Sequence, residues 1–444
     1  MLDILGNRTY RHLFLAQVIA LLGTGLATVA LGLLAYDLAG ANAGAVLGTA
    51  LAIKMVAYIG IAPIASAFAE RVPRRALLVT LDLVRAGVAL LLPFVTQVWQ
   101  VYVLIFVLQS ASAGFTPTFQ ATIPDVLPKE EDYTKALSLS RLAYDLESLG
   151  SPALAAALLS VVSFHSLFLG TVVGFIGSAL LVVSATLPKA KVPPRRSIYE
   201  RTTRGCRIYL ATPRLRGLLA LNLAVAAASA MVIVNTVVLV QSQLKLTQNA
   251  TALALAAFGA GSMLVALGLP KLLERLADRR VMLAGAGVLT VGLLAGPWAT
   301  RQYELLVGLW FVLGVGYSLV QTPSGRIVRR SAREEDRPAL FAAQFALSHA
   351  CWLITYPAAG WLGAKAGLAV SFLVLAALAI AAMLASMRMW PVSDPSELEH
   401  EHADMDPGHE HLSSGRHAKG RRHSHVFVID DDHKRWPADG SLWR

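Results

Sequence analysis

Ala69-Glu70-Arg71-Val72-Pro73-Arg74-Arg75 and, about 204 residues further on, Glu274-Arg275-Leu276-Ala277-Asp278-Arg279-Arg280 are two versions of one charged stretch, each set between long apolar runs. The echo extends along the chain. Thr116-Pro117 recurs as Thr322-Pro323, Glu130-Glu131-Asp132 as Glu334-Glu335-Asp336, and Ser151-Pro152, less closely, as Tyr356-Pro357, at offsets of 206, 204 and 205. Four echoes in order indicate a duplicated architecture. The apolar runs between them are long enough for membrane spans, which need about 20 residues each. Duplicated halves with a binding site at their interface are a signature of secondary transporters.

Twelve spans can be placed, at roughly 12–37, 44–69, 76–96, 100–121, 134–160, 165–187, 217–240, 249–270, 281–299, 303–322, 338–363 and 367–390. The first run is too long for a signal peptide and no small-residue cleavage site follows it, so it is read as a span. The expected fold is an all-α membrane protein of two six-helix pseudo-repeats. Residues 1–188 form one half, 189–216 a basic linker, 217–390 the other half and 391–444 a polar tail.

Composition agrees. Of 444 residues, 55% are hydrophobic and 15% charged, and mean hydropathy is +0.57, too little charge for a soluble chain of this size. The net charge of +11 raises the question of nucleic acid, and its placement answers it. With the N-terminus on the cytoplasmic side, the loops on that side hold 25 Lys and Arg and the opposite loops hold three. This positive-inside bias puts both termini in the cytoplasm and explains the basicity by topology, with no nucleic-acid partner. The two cysteines, Cys206 in a loop and Cys351 in a span, suggest no structural disulfide.

The loop stretches also carry a family resemblance. Ala69–Arg75 resembles the loop signature of the major facilitator superfamily, with Glu70 in place of its Asp and Pro73 in place of its Gly, and Leu276–Arg280 is a more degenerate copy. Asp82 and Arg85 in the third span extend the pattern. With the tail's histidines added (His400, His402, His409, His411, His417, His423, His425 and His433), the nearest branch resembles the Nre-type bacterial nickel-resistance exporters. That resemblance implies export of nickel, sometimes cobalt, across the bacterial cytoplasmic (inner) membrane.

Arginines at span ends can bond helix C-terminal carbonyls and pair with acids. Glu70, Arg71, Arg74, Arg75, Asp82, Arg85, Glu274, Arg275, Asp278, Arg279 and Arg280 are therefore expected to form a cytoplasmic gate, against the plainer reading of topology anchors. Ionisable groups inside spans are functional candidates by default. Asp82 and Arg85 sit three apart, and Arg141 and Asp145 four apart, so each pair can neutralise itself on one helix face. Lys54 and Glu147 have no local partner. At the repeat offset, Asp145 maps to His349 and Glu147 to Cys351, a donor mixture suited to a borderline divalent ion. Residues two apart on a helix point about 200° apart, however, so one member of each pair is expected to face a common cavity. Asp145, Glu147, His349, Cys351 and Lys54 are the candidates for ion and proton handling. Asn222, Asn235, Gln109 and Gln344 are candidate cavity-lining polar groups.

Eight of eleven histidines lie in the tail: His400 and His402, His409 and His411, His423 and His425 as His-x-His pairs, with His417 and His433 single. Imidazole-rich polar tracts bind late first-row divalent ions. Pro391–Gly420 is expected to be disordered without metal, and Val426–Ile429 to form a short docked element. No Walker-A loop, His-Glu-x-x-His or Cys-x-x-Cys is present, so neither an enzyme nor a cofactor is implied. The expected function is proton-coupled export of a divalent ion, with nickel or cobalt as substrate and on the tail, and protons and the lipid bilayer as partners. The alternatives are an exporter of an organic molecule (a siderophore or drug) with a metal-responsive tail, and a membrane sensor or scaffold.

Overall fold

The computed structural model describes residues 2–39, 43–69, 72–159, 161–188, 198–246, 248–395, 397–401, 416–419 and 422–437. Twelve long helices account for most of it. In the N-half these are α1 (Arg8–Ala39), α2 (Ala43–Ala69), α3 (Arg74–Leu91), α4 (Val98–Val126), α5 (Glu130–Leu159) and α6 (Phe164–Ser184). Helix α7 (Ile198–Ala211) follows within the basic linker. The C-half contains α8 (Pro213–Val237), α9 (Gln248–Arg275), α10 (Asp278–Ala299), α11 (Tyr303–Gln321), α13 (Arg337–Lys365) and α14 (Leu368–Met389), with a short α12 (Ser324–Arg330) before α13. Among the described residues, ten helices are long and apolar enough to cross a membrane. Of the other two long helices, α5 opens with Glu130-Glu131-Asp132 and carries Arg141, Asp145 and Glu147, which lower its mean hydropathy.

Each half packs its own core. Leu13, Leu78, Phe119 and Val182 are buried together in the N-half, and Leu221, Leu289, Trp310 and Phe372 in the C-half. Small residues let helices approach closely, as is usual in membrane bundles. Gly23 and Gly174 lie against one another between α1 and α6, where a Cβ on Gly174 would stand 2.9 Å from the Ile19 carbonyl oxygen. At Gly314 a Cβ would come within 1.9 Å of the Phe258 carbonyl oxygen, which ties α11 to α9. The halves meet through α2 on α13, where Tyr58, Ala62, Ala342, Phe345 and Ala346 form a separate apolar cluster, and through α5 on α9.

The loop repeat does the same work in both halves. Arg75 at the start of α3 donates from Nη2 to the carbonyl of Ala185, the C-cap of α6 (2.5 Å). Arg279 at the start of α10 donates from Nε to the carbonyl of Trp390, the C-cap of α14 (2.9 Å). A cation on the orphan carbonyls at a helix C-terminus is stabilised by the helix dipole, by about 0.3–1 kcal/mol where partly exposed. The duplication thus conserves a capping device 204 residues apart.

Parts of the tail carry regular structure. Three strands, β1 (Glu397–Glu401), β2 (Arg416–Lys419) and β3 (Arg422–Val426), form an antiparallel sheet in the order β1-β3-β2. In the register Glu401 lies opposite Arg422 and His400 opposite His423. The polar strands hold because the segment buries apolar side chains elsewhere. Leu398, Phe427 and Ile429 join the C-half core, each with about 1.5–3 kcal/mol available from burial. Residues 402–415, with His402, His409 and His411, lie outside the described residues.

Candidate functional site

We call the side of the bundle that carries the described basic loops the basic face. There the halves are pinned together by charge. Asp125, near the end of α4, accepts from Arg74 of its own half and from Arg337 at the start of α13 (3.1 Å). Glu130 at the start of α5 pairs with Arg326 of α12 (3.0 Å), which also faces Asp278 at the start of α10 (3.4 Å). Arg329 donates to the Pro128 carbonyl (2.5 Å) and its guanidinium lies 5.1 Å from the Tyr133 ring, while Tyr133 donates to the Gly325 carbonyl (3.4 Å). The basic face is therefore closed in this conformation.

The expected gate residues divide. Arg74 and Asp278 belong to this closure, and Arg75 and Arg279 cap helices within their halves. Glu274, Arg275 and Arg280 lie exposed near the α9–α10 turn, and Glu70 and Arg71 lie outside the described residues. Asp82 and Arg85, expected in the gate, instead close on each other inside the N-half. Asp82 accepts a further bond from Ser178 of α6 (2.8 Å). The Arg85 guanidinium is flanked by Phe115 and Phe175, at 4.0 and 4.5 Å from the ring centroids. A charge pair buried this deeply holds α3, α4 and α6 together and does not reach the other half. In the sequence Glu130 stands out only as part of the repeat, Arg326 and Arg337 read as ordinary loop cations, and Asp125 reads as an ordinary polar span end.

Above the closure, charged and aromatic side chains converge from both halves. Lys54 and Tyr58 come from α2, Arg141, Tyr144 and Glu147 from α5, Tyr317 from α11, and Phe345, His349 and Trp352 from α13. Glu147 is within electrostatic reach of Lys54 and Arg141, so the two groups that lack a partner in sequence are neighbours in space. The Lys54 ammonium stands 5.5 Å from the Tyr58 ring centroid. Tyr58 in turn meets His349 edge-on across the half interface, at 4.7 Å between centroids. Arg141 reaches the C-half through Tyr317, its Nη1 3.4 Å from the hydroxyl and its guanidinium 4.8 Å from the ring. His349 and Glu147 are half-buried.

His349 is chemically poised. Its Nδ1 is 2.7 Å from the Phe345 carbonyl of its own helix and donates to it, which leaves Nε2 as the basic nitrogen. Cys351, two residues on, is buried, and its thiol donates to the Leu347 carbonyl, so helix geometry separates it from the His349 face. Asp145 lies in α5 with its side chain outside the described residues. Among the described residues no group of three His, Cys, Asp or Glu is already placed to hold a metal ion. Three of the polar candidates serve packing: Asn235 donates to the Ala359 carbonyl of α13, Asn222 to the Leu218 carbonyl, and Gln344 accepts from Tyr209 of α7.

The described tail histidines sit apart, on the basic face of the C-half. His400 and His417 lie in β1 and β2. His423, His425 and His433 cluster with Phe427, with ring centroids 5.1 Å apart for the first two and 5.0 Å for the last two. The segment is fastened by Asp431 to Arg204 of α7 (2.7 Å) and by Asp430 to Arg333 (2.6 Å). Arg204 also holds Asp336, beside the gate residue Arg337. Burial opposes the charge on Asp430, and the contacts with His433 and Arg333 outweigh it, holding the carboxyl below its ordinary range.

Two six-helix halves, closed at one end over a charged centre, define a secondary transporter with repeat-related halves. The chain belongs to the Major Facilitator Superfamily, whose family profile matches it twice, over residues 13–239 and 218–429. It is 23% identical over 333 residues to an uncharacterized MFS-type transporter, YfiS, of Bacillus subtilis, covering 72% of this chain and 79% of the relative. Macrolide efflux protein A of Streptococcus pyogenes is 27% identical over 153 residues, 32% of this chain and 38% of that one. Among solved structures, the human organic anion transporter MFSD10 superposes with a TM-score of 0.75 at 11% identity, covering 86% of this chain and 99% of the other. An outward-facing bacterial homologue of the iron transporter ferroportin gives 0.71 at 15% identity, with the same coverages. Both share the fold.

Proposed function

We propose that this chain is an efflux carrier of the bacterial cytoplasmic membrane that exports divalent metal ions, nickel or cobalt, in exchange for protons, with the basic face and both termini in the cytoplasm. The observation that carries the reading is that Lys54 lies within electrostatic reach of both Glu147 of the N-half and His349 of the C-half, above a closed basic face. A carboxylate and an imidazole with its Nε2 basic make a site that accepts either a divalent ion or protons. Lys54 and Arg141 offset the charge of Glu147, so cargo enters by displacing a tethered cation. The histidine tail supports the ion class and the direction, since it lies where ions to be removed collect.

A second reading has its own support. Tyr58, Tyr144, Tyr317, Phe345 and Trp352 around two cations also suit an organic molecule with an anionic group, and a relative bears the name of a macrolide efflux protein. One experiment separates the two. A metal-sensitive, macrolide-sensitive bacterium carrying the chain is grown across nickel, cobalt, zinc, copper and erythromycin, with cell metal quantified. Raised nickel or cobalt tolerance with lower cell metal is the expected result. Unchanged metal content with raised drug tolerance would replace the first reading by the second.

A further inference from the structure

The turn between α10 and α11 closes one end of a groove in which the transport chemistry has no part. Helix α10 starts on the basic face and runs away from it, so residues 300–302 lie on the opposite side of the bundle. From that turn inward runs a groove of about 410 Å³, lined by Val291, Ala295 and Trp298 of α10 and by Leu305, Gly308 and Val312 of α11. On each helix these recur at three and four residues, the spacing of one face. Pockets for small ligands are of this size, about 300–1,000 Å³. From Val291 to Ala299 the rise is about 12 Å, most of the roughly 15 Å of hydrocarbon in one leaflet. Val291 and Trp298 are 66% and 62% exposed, so the groove opens on the lipid. A Cβ at Gly292 would stand 2.5 Å from Leu313 Cδ2, whereas one at Gly308 would meet nothing within 4 Å. Gly292 lets the helices approach, and Gly308 leaves an open floor. Tyr317, which meets Arg141 at the centre, is nine residues beyond Gly308 and so on the other side of α11.

The groove is apolar along its length and charged at its mouth. Glu304 lines it there, in the first turn of α11, where the helix dipole favours a carboxylate. Arg301 precedes Glu304 by three residues, in the turn. Both are exposed, and among the described residues neither forms a salt bridge. Trp298 stands at the same end, at the depth where aromatic side chains meet lipid headgroups. An acid and a base at headgroup level, over an apolar groove one leaflet deep, complement a ligand that joins an ammonium, a phosphate and an acyl chain. We propose that the α10–α11 groove binds one phospholipid with a primary-amine headgroup in the leaflet opposite the basic face, its acyl chain along Gly308, its ammonium on Glu304 and its phosphate on Arg301. A primary ammonium offers the carboxylate N–H donors that a quaternary headgroup lacks, so Glu304 sets the choice between them. The lipid sits beside the transport path and does not compete with cargo.

Native mass spectrometry of the full chain in detergent, supplied with phosphatidylethanolamine, phosphatidylcholine or phosphatidylglycerol of matched acyl chains, tests this. The native chain is expected to retain one phosphatidylethanolamine about ten-fold better than phosphatidylcholine, the difference a charge-assisted hydrogen bond makes. Glu304→Gln is expected to erase that preference, and Arg301→Gln to weaken both lipids alike, since both carry the phosphate. Gly308→Leu, which fills the floor, is expected to lose the retained lipid whatever its headgroup. Gly268→Leu, at an equally open glycine of α9 outside the groove, is expected to keep it. Should Gly308→Leu fail to fold, Glu304→Gln decides, because its side chain is exposed. Equal retention of the ethanolamine and choline lipids by the native chain, a preference that survives Glu304→Gln, or lipid still held by Gly308→Leu overturns the site. Phosphatidylglycerol held more tightly than phosphatidylethanolamine overturns it too, by assigning the headgroup to Arg301 alone. No cargo is present in this assay, so its failure leaves the export reading untouched.

Discussion

The two halves share a scaffold and divide the chemistry. Arg75 and Arg279 cap α6 and α14 from equivalent positions. Elsewhere the equivalence ends in contrast. At the repeat offset Asp82 and Arg85 become Ala286 and Leu289, Lys54 becomes Phe258, and Arg141 becomes Phe345. No Asp, Glu, Lys or Arg remains in the middle of a C-half span, and His349 is the one titratable group with basic character there. The N-half therefore holds the charges while the C-half presents aromatic rings against them, as Tyr317 does to Arg141. Division of labour of this kind lets one copy of a duplicated fold drift toward binding while the other keeps a rigid apolar wall.

The sharpest way to break this comparison is to impose the C-half's residues on the N-half. Arg85→Ala leaves Asp82 buried and uncompensated, and a fall in stability of about 3–5 kcal/mol is expected in thermal unfolding of the purified protein. Asp82→Ala with Arg85→Leu, which copies Ala286 and Leu289, should recover most of that loss, because a buried pair replaced by apolar groups is often neutral. A double variant no more stable than the single would show that the pair does more than satisfy itself.

At the centre, Glu147→Gln is expected to slow transport in everted vesicles about ten-fold or more, the worth of a charged hydrogen bond. Cys351→Ser at the equivalent position should change it less than about two-fold, since the thiol bonds within its own helix. Equal effects would erase the asymmetry. On the basic face, Arg337→Gln removes one of Asp125's two partners. Labelling of cysteines introduced on that face is expected to rise about ten-fold as the open state gains roughly 1.4 kcal/mol. The smallest effect tests the likeness of the halves. Arg75→Gln and Arg279→Gln should each cost about 0.3–1 kcal/mol in melting, and by similar amounts.

How much of this is legible in the amino acids depends on the range of each contact. The twelve helices follow from runs of apolar residues, and the duplication from echoes such as Thr116-Pro117 and Thr322-Pro323. Asp82 with Arg85 is legible because three residues bring them onto one face, although their place inside the N-half is not. Asp125 is opaque: its partners lie 51 and 212 residues away, and a lone acid after Ile123-Pro124 looks like any span end. Lys54 and Glu147 could be recognised as unpartnered, but only the packing of α2 near α5 makes them neighbours. The length and basicity of Ile198–Ala211 conceal a helix that packs beside α13. The tail's His-x-His spacing at 423 and 425 fits a strand as well as a coil, and what decides between them is the burial of Phe427 and Ile429 in a core far upstream.

The neighbourhood of Lys54 and Glu147 has an electrical consequence. Counting the formal charges that α2 and α5 bring to the middle of the bundle, Lys54 and Arg141 balance Asp145 and Glu147. An empty carrier that turns over with such a centre moves no net charge across the field of the membrane. Voltage acts instead on what is carried, at about 2.3 kcal/mol per elementary charge per 100 mV. The current that accompanies turnover then reads out the charge of what is carried, with no contribution from these four groups.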